Sequence, residues 1–298
     1  MQERETGVEK RLSELARGAA LVRALAAHDE REEIRCGDTL AELFVSDDRQ
    51  GSVSDPKTRD WLVNNYLPYG VYAYTLSRTA YMDHIVAEAL RDNIEQIVLV
   101  GAGYDSRPYR FAHMARGTVI FELDDGELLE RKRKFLTEAG INPPAGIKYV
   151  PLSYNSVLMR EALFAAGFER EKQTLFVWEG CSYYLKSDNV DRIIRFMGAN
   201  SPAGSTLCFD YSTGSKEMES SGLGKELSEP MGLAGSEDAD LFRIEEDKTG
   251  RFLAERNFMI LEDLTPQEME KRYLTLSDGS LAGKVPARYR IVYASLSK

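Results

Sequence analysis

The 298-residue sequence holds only three cysteines, Cys36, Cys181 and Cys208. They are too few and too scattered for a disulfide framework or a C-x-x-C metal site. Cys208 lies within an apolar run and reads as a small core residue, in keeping with a reducing compartment. Histidine is as scarce, and His28, His84 and His113 show no metal-ligand spacing. No apolar run approaches the ~20 residues of a membrane span. The opening MQERETGVEKR is charged and lacks the apolar centre of a secretory signal, so the expectation is a soluble, cytoplasmic protein with no membrane partner. A basic excess is missing too. The formal net charge is -10, with acidic and basic residues interspersed, which speaks against a nucleic-acid partner. Gly180-Cys181-Ser182-Tyr183-Tyr184 lacks the closing glycine of a nucleophile elbow. Gly283-Lys284 continues into Val285, and Gly222 to Lys225 also fails the phosphate-loop pattern. Metal and covalent mechanisms have no support in this sequence.

What is present is an alternation of strand and helix patterns, the mark of a mostly parallel sheet with helices on both faces. Strands are expected at Gln96 to Gly101, Thr118 to Asp124, Ile147 to Leu152, Thr174 to Trp178, Ser205 to Tyr211, Phe258 to Leu264 and Arg288 to Leu296. The last alternates as an antiparallel edge strand does. Between the fourth and fifth, Val190, Ile193, Ile194 and Met197 mark one helix face, with Ser187 or Asp188 as its cap. Residues 1–94 are expected to form a helical N-terminal cap, and 95–298 the sheet domain. In the cap, a helix from Gly7 to about Glu33 follows the spacing of Leu12, Leu15, Ala19, Val22 and Leu25. Asp38 is placed as the N-cap of a short helix from Thr39 to Phe44, and Ser54-Asp55-Pro56 as another helix start. Trp61 to Tyr81 is dense in aromatics, suited to packing on the core or roofing a pocket. Residues 212–250 turn rich in Gly, Ser, Glu and Asp and form an insert after the fifth strand, read as a lid.

The first strand, Ile97-Val98-Leu99-Val100, runs into Gly101-Ala102-Gly103. Two glycines there let the backbone turn tightly and approach a ligand. The second strand ends in Glu122-Leu123-Asp124, where a carboxylate commonly holds the hydroxyls of a ribose. By alternation Glu122 and Asp124 lie on one side, and either can serve. A dinucleotide fold wants a third glycine, but that position is Ser106, preceded by Asp105. An anionic turn suits a cationic or amino-bearing ligand better than a pyrophosphate. S-adenosyl-L-methionine has an adenosine, a sulfonium and an ammonium, and fits. Glu179 ends the fourth apolar run and points toward the same crevice. A carboxylate there needs a partner, such as a cationic ligand or an arginine.

These residues resemble the leucine carboxyl methyltransferase family of S-adenosylmethionine-dependent O-methyltransferases, which includes polyketide carboxyl methyltransferases. The matching pieces are RTAYMD from Arg78 to Asp83, VLVGAGYDSR from Val98 to Arg107, FELD from Phe121 to Asp124, FVWEGCSYYL from Phe176 to Leu185, and FDY from Phe209 to Tyr211. The resemblance implies a Rossmann-like class I methyltransferase fold, α/β, with a seven-stranded sheet. It implies that Arg78, which local pattern alone leaves on the surface, holds the methionine carboxylate. It further implies that Gly101 and its neighbours pass under the cofactor, that Asp124 takes the ribose hydroxyls and that Glu179 sits near the methionyl amino end. Where the family usually has an aspartate beside the adenine, this sequence has Ser153-Tyr154.

The expected activity is methyl transfer from S-adenosyl-L-methionine to oxygen, on a carboxylate of a small molecule or a peptide C-terminus. A carboxylate is already ionised at neutral pH and needs no base. Arg107 and the tyrosines around Tyr74 and Tyr183 are the candidates for contact with it. A hydroxyl acceptor, an NAD-dependent oxidoreductase and a non-catalytic cofactor-binding protein are the alternatives.

Overall fold

The computed structural model describes residues 7–45, 53–152, 156–213 and 241–297. Seven strands form one sheet: β1 (Gln96–Val100), β2 (Val119–Asp124), β3 (Ile147–Pro151), β4 (Thr174–Trp178), β5 (Thr206–Ser212), β6 (Phe258–Leu264) and β7 (Tyr289–Leu296). Their order is β3-β2-β1-β4-β5-β7-β6. Neighbours from β3 to β5 pair in parallel, while β7 is antiparallel to both β5 and β6. This is the doubly wound arrangement expected from the alternating pattern. One detail is corrected. The last strand is not the edge. β7 inserts between β5 and β6, and its Ile291, Val292 and Ala294 are fully buried. β6 takes the edge, with Met259 and Leu261 exposed.

Strand alternation divides β1 between two cores. Ile97 and Leu99 pack with Leu21, Val22 and Leu25 of α1 (Gly7–Ala27). Leu76, Met82, Ile85 and Val86 of the helix Val71–Arg91 join the same core. Between those two helices in the chain stands α2 (Pro56–Trp61), and Val71–Arg91 is therefore α3. Val98 and Val100 face the opposite core with Phe121 and Phe176, and with Val190, Ile193 and Ile194 of the helix Ser187–Ala199. Residues of the first 94 thus share a continuous core with the sheet.

Local chemistry accounts for the departures at helix ends. α1 stops at Ala27, and Glu32–Ile34 form a separate 3-10 turn rather than extending it. The Asp29 carboxylate takes the Arg31 amide at 2.9 Å and the Tyr72 hydroxyl at 2.7 Å, a local alternative to helical pairing. Asp38 does not cap a helix. Its carboxylate is held by Arg23 Nε at 2.8 Å and Ser106 Oγ at 2.5 Å, and only a 3-10 turn, Ala41–Phe44, follows. A buried guanidinium outcompetes a free amide for a carboxylate. Asp55 does cap α2, accepting from the Thr58 amide, with Pro56 at the first turn. The helix at Ser187 begins with Lys186 in the cap position and no side-chain cap, so neither Ser187 nor Asp188 fills that role. Among the described residues no helix is long and apolar enough to cross a membrane. Most of the expected lid, residues 214–240, lies outside the described residues, as do Ser153 and Tyr154.

Candidate functional site

A cavity of about 610 Å³ opens across the carboxyl ends of the parallel strands, roofed by α1 and by the start of α3. Ligands bind at this edge in doubly wound sheets, and the volume suits a small molecule. The turn after β1 forms its floor. Gly103 has φ +46°, and a Cβ there would meet the Ala16 Cβ of α1 at 3.1 Å. Only glycine lets the roof helix approach so closely. Ala102 donates its amide to Leu123 of β2 at 2.9 Å, which ties the turn to the neighbouring strand. The Gly103 amide donates to Asp124 Oδ2 at 2.6 Å.

The two carboxylates of β2 part company. Asp124 lines the cavity. Glu122 is turned away into a fully buried ion pair, its Oε2 2.8 Å from Lys132 Nζ. Burial raises its carboxyl above the usual range even so, because desolvation outweighs the lysine.

Above the ends of β4 and β5 two arginines are packed with four carboxylates. Arg78 of α3 donates from Nε to Glu179 at 3.0 Å and from Nη1 to Asp210 at 2.9 Å. Arg107 Nη1 lies 2.7 Å from the other oxygen of Glu179, and also pairs with Asp105 at 2.8 Å, while its Nε pairs with Asp83 at 2.7 Å. Burial alone would raise the Glu179 carboxyl, but the adjacent Arg107 and Arg78 guanidiniums hold it well below the usual range. Asp210 moves the opposite way. Burial lifts it despite Arg78, the Tyr74 hydroxyl at 2.6 Å and the Gly180 amide at 2.7 Å. Gly180 adopts φ +69°, and a Cβ there would sit 3.2 Å from the Arg78 guanidinium. That position has no room for a side chain.

Of the residues read from the sequence, Arg78, Gly101, Ala102, Gly103, Asp105, Asp124, Glu179, Arg107, Tyr74 and Tyr183 all line the one cavity. Glu122 does not, and Asp105 has spent its charge on Arg107. Sequence reasoning missed the α1 stretch from Glu14 to Arg23, Asp210, and Tyr289. Asp210 had a signal, a carboxylate inside the apolar strand LCFDYS. Tyr289 and α1 had none, since their partners are remote in sequence.

A family model described as leucine carboxyl methyltransferase matches residues 16–198, more than half of the chain. A protein of Mycobacterium avium (strain 104), provisionally named an S-adenosyl-L-methionine-dependent methyltransferase, is 35% identical over 203 residues, covering 65% of this chain and 63% of its own length. A similarly named protein of Mycolicibacterium smegmatis is 32% identical over 174 residues, covering 58% and 57%. The matches thus span less than two thirds of these relatives. Among solved structures, a DUF574 family protein from Streptomyces avermitilis superposes with a TM-score of 0.57 at 11% identity, over 93% of this chain and 96% of that one, a likeness of fold alone. On the family match, this chain belongs to the leucine carboxyl methyltransferase family.

Proposed function

We propose that the protein is an S-adenosyl-L-methionine-dependent O-methyltransferase acting on a carboxylate. The observation that carries this reading is the order of chemistry along the sheet edge. A ribose-type carboxylate stands at β2, a glycine turn at β1, and an arginine–carboxylate cluster at β4 and β5. The first two suit an adenosine, and the third suits a zwitterionic amino-acid tail. Asp124 would take the ribose hydroxyls, Glu179 the ammonium and Arg78 the carboxylate of that tail. Held there by Asp124, Glu179 and Arg78, S-adenosyl-L-methionine would supply a methyl carbon activated by its sulfonium, for transfer to an acceptor oxygen with sulfur keeping the electron pair of the broken bond.

The chain's own residues then have three tasks. Roofing by α1 excludes water, which strengthens the fixed charges below it. The cluster around Arg78 fixes the direction of approach, the largest lever for a displacement of this kind. Arg107 is better read as the residue that positions Glu179 than as the acceptor's anchor, because three carboxylates already face it. Among the described residues no histidine lines the cavity; of its carboxylates, Asp38, Asp105 and Glu179 each face an arginine, Asp124 accepts the Gly103 amide, and Glu14 is exposed on α1. A carboxylate acceptor needs no base, so it is preferred to a hydroxyl, which does.

Calorimetric titration with S-adenosylhomocysteine and, separately, NAD tests the reading. Saturable binding of the first, weakened at least tenfold in Asp124→Ala, is expected. Binding of NAD alone would sink it.

A further inference from the structure

We infer that Tyr289, at the start of β7, and Arg288 behind it hold the acceptor's carboxylate during methyl transfer. This rests on the methyltransferase reading and supplies the acceptor contact for which Arg107 is already spent. The family match ends at residue 198, so it assigns neither residue.

β7 runs antiparallel to β5, and that direction brings its first residue to the carboxyl ends of the parallel strands. Tyr289 pairs with Ser212, just past Asp210 on β5, and lines the cavity. β7 lies one strand spacing, ~4.8 Å, beyond β5, beside the arginine–carboxylate cluster. The Thr213 amide and hydroxyl donate to the Arg288 carbonyl at 2.7 and 3.2 Å, which fixes the backbone there. The Tyr289 ring is fixed by stacking on Tyr74 of α3, with centroids 4.2 Å apart and planes 9° from parallel.

The distribution of charge singles out this corner. A carboxylate entering a cavity shut from water needs a cation or strong donors. Of the arginines that line the cavity, Arg23, Arg78, Arg107 and Arg110 already face carboxylates. Arg17 follows Ala16 over Gly103, at the ribose end. Arg288 is half-buried, and among the described residues no carboxylate pairs with it. Its neighbour Arg290, by contrast, reaches Glu246 at 3.1 Å. The Arg288 Nε–H is buried with no partner among the described residues. A guanidinium left without a counter-charge and with an unmet donor calls for a function.

Arg288 acts on the cavity through Tyr289. Its Nη2 donates to the Tyr289 hydroxyl at 2.8 Å, so that oxygen accepts there and keeps its own proton to give. The other inner hydroxyls differ. Tyr74 donates to Asp210 at 2.6 Å, while Tyr183 accepts from Arg78 at 3.1 Å and faces Asp210 at 3.4 Å. Among the described residues nothing accepts the Tyr289 proton. A hydroxyl polarised by a guanidinium is the stronger donor to an anion. Burial and the Tyr289 hydroxyl push the neighbouring Tyr184 hydroxyl up, while Arg78 and Arg288 both pull it down. The fields of the two arginines thus meet at one wall of the cavity. Arg78 serves the cofactor's carboxylate and Arg288 the acceptor's, so the two anions do not compete.

One acceptor oxygen, held by Tyr289, stays unmethylated. The other gives an electron pair to the methyl carbon as sulfur keeps the pair of the S–C bond, and no proton moves. The test uses the full chain saturated with S-adenosylhomocysteine and titrated calorimetrically with octanoate, benzoate and their neutral amides. At least one acid is expected to bind about tenfold or more tighter than its amide. Arg288→Met and Tyr289→Phe should each remove most of that preference and leave S-adenosylhomocysteine affinity unchanged, while Arg288→Lys should keep part of it. The two substitutions together should cost little more than either alone, because the arginine acts through the hydroxyl. No binding of either acid, equal binding of acids and amides, or a preference that survives Arg288→Met would each overturn the assignment and leave the cofactor reading standing. If Arg288→Met does not fold, Tyr289→Phe, which keeps the stacked ring, decides alone. Failure of the parent chain to bind S-adenosylhomocysteine would remove the cofactor reading itself, and the acceptor contact with it.

Discussion

Glu179 keeps its charge in a place where burial works against charge. Two guanidiniums, from Arg78 and Arg107, make that tolerable. A folded carboxyl held below its ordinary value of 4.5 contributes stability that is fully present above that value. The contribution is lost as pH falls through the lower folded pKa. Asp210, raised by burial, works in the opposite sense and stabilises more as pH falls. Glu179→Gln should therefore flatten the fall in stability between about pH 5 and 3, read from urea midpoints across that range. An unchanged slope would mean that other carboxylates, such as Asp38, carry the acid response. Removing the cation is a harsher change. Arg78→Met leaves Glu179 and Asp210 charged and buried, and should cost about 3–5 kcal/mol of unfolding free energy. Adding Asp210→Asn to that variant should return part of the loss. At this scale the sequence was legible wherever a charge broke an apolar run, as at Glu179 and Asp124. Arg78 gave no local sign of burial, because its partners lie 101 and 132 residues away in the chain. The choice between Glu122 and Asp124 turned on Lys132, whose helical pattern does not reveal that it points inward.

Helix α1 gains its role through one fastening. Arg23 reaches from it to Asp38 at 2.8 Å and to the Tyr104 carbonyl at 2.8 Å, while Asp38 is held in turn by Ser106. Those contacts pin the helix over the glycine turn, with Ala16 against Gly103. Asp38→Asn halves the charge complement there while keeping the shape. It should speed amide exchange in residues 15–22 and weaken S-adenosylhomocysteine binding about tenfold, with exchange in β1 and β4 unchanged. Equal exchange in both proteins would show that apolar packing alone seats the helix. Strand identity was readable throughout, since short apolar runs bounded by turns leave little choice. Placement was harder. Residues 288–296 alternate as an edge strand would, but alternation records which faces are polar and not which strands lie on either side. The amphipathic pattern of α1 likewise marks a buried face without saying that it covers a ligand site.

Across the molecule, the cap and the sheet are joined by apolar contact rather than by a linker. Leu21, Val22 and Leu25 of α1, Leu76 and Ile85 of α3, and Ile97 and Leu99 of β1 belong to one buried cluster. Division at residue 94 would expose both sides of that core, so the two parts should unfold together. The chain has two tryptophans, one in each part. Trp61 of the cap is 57% exposed, and Trp178 of β4 is fully buried. Trp178→Phe leaves fluorescence that reports the cap, and Trp61→Phe leaves fluorescence that reports the sheet. Within each variant, the fluorescence midpoint in urea should coincide with the midpoint followed by far-ultraviolet circular dichroism. Saturating S-adenosylhomocysteine at about 100 times its Kd should stabilise either variant by about 2.7 kcal/mol, because the cavity takes walls from both parts. A cap signal that moved at lower urea than the circular dichroism, and did not respond to the ligand, would make residues 1–94 an independent unit. The roof would then be a hinged cover on a sheet that folds by itself.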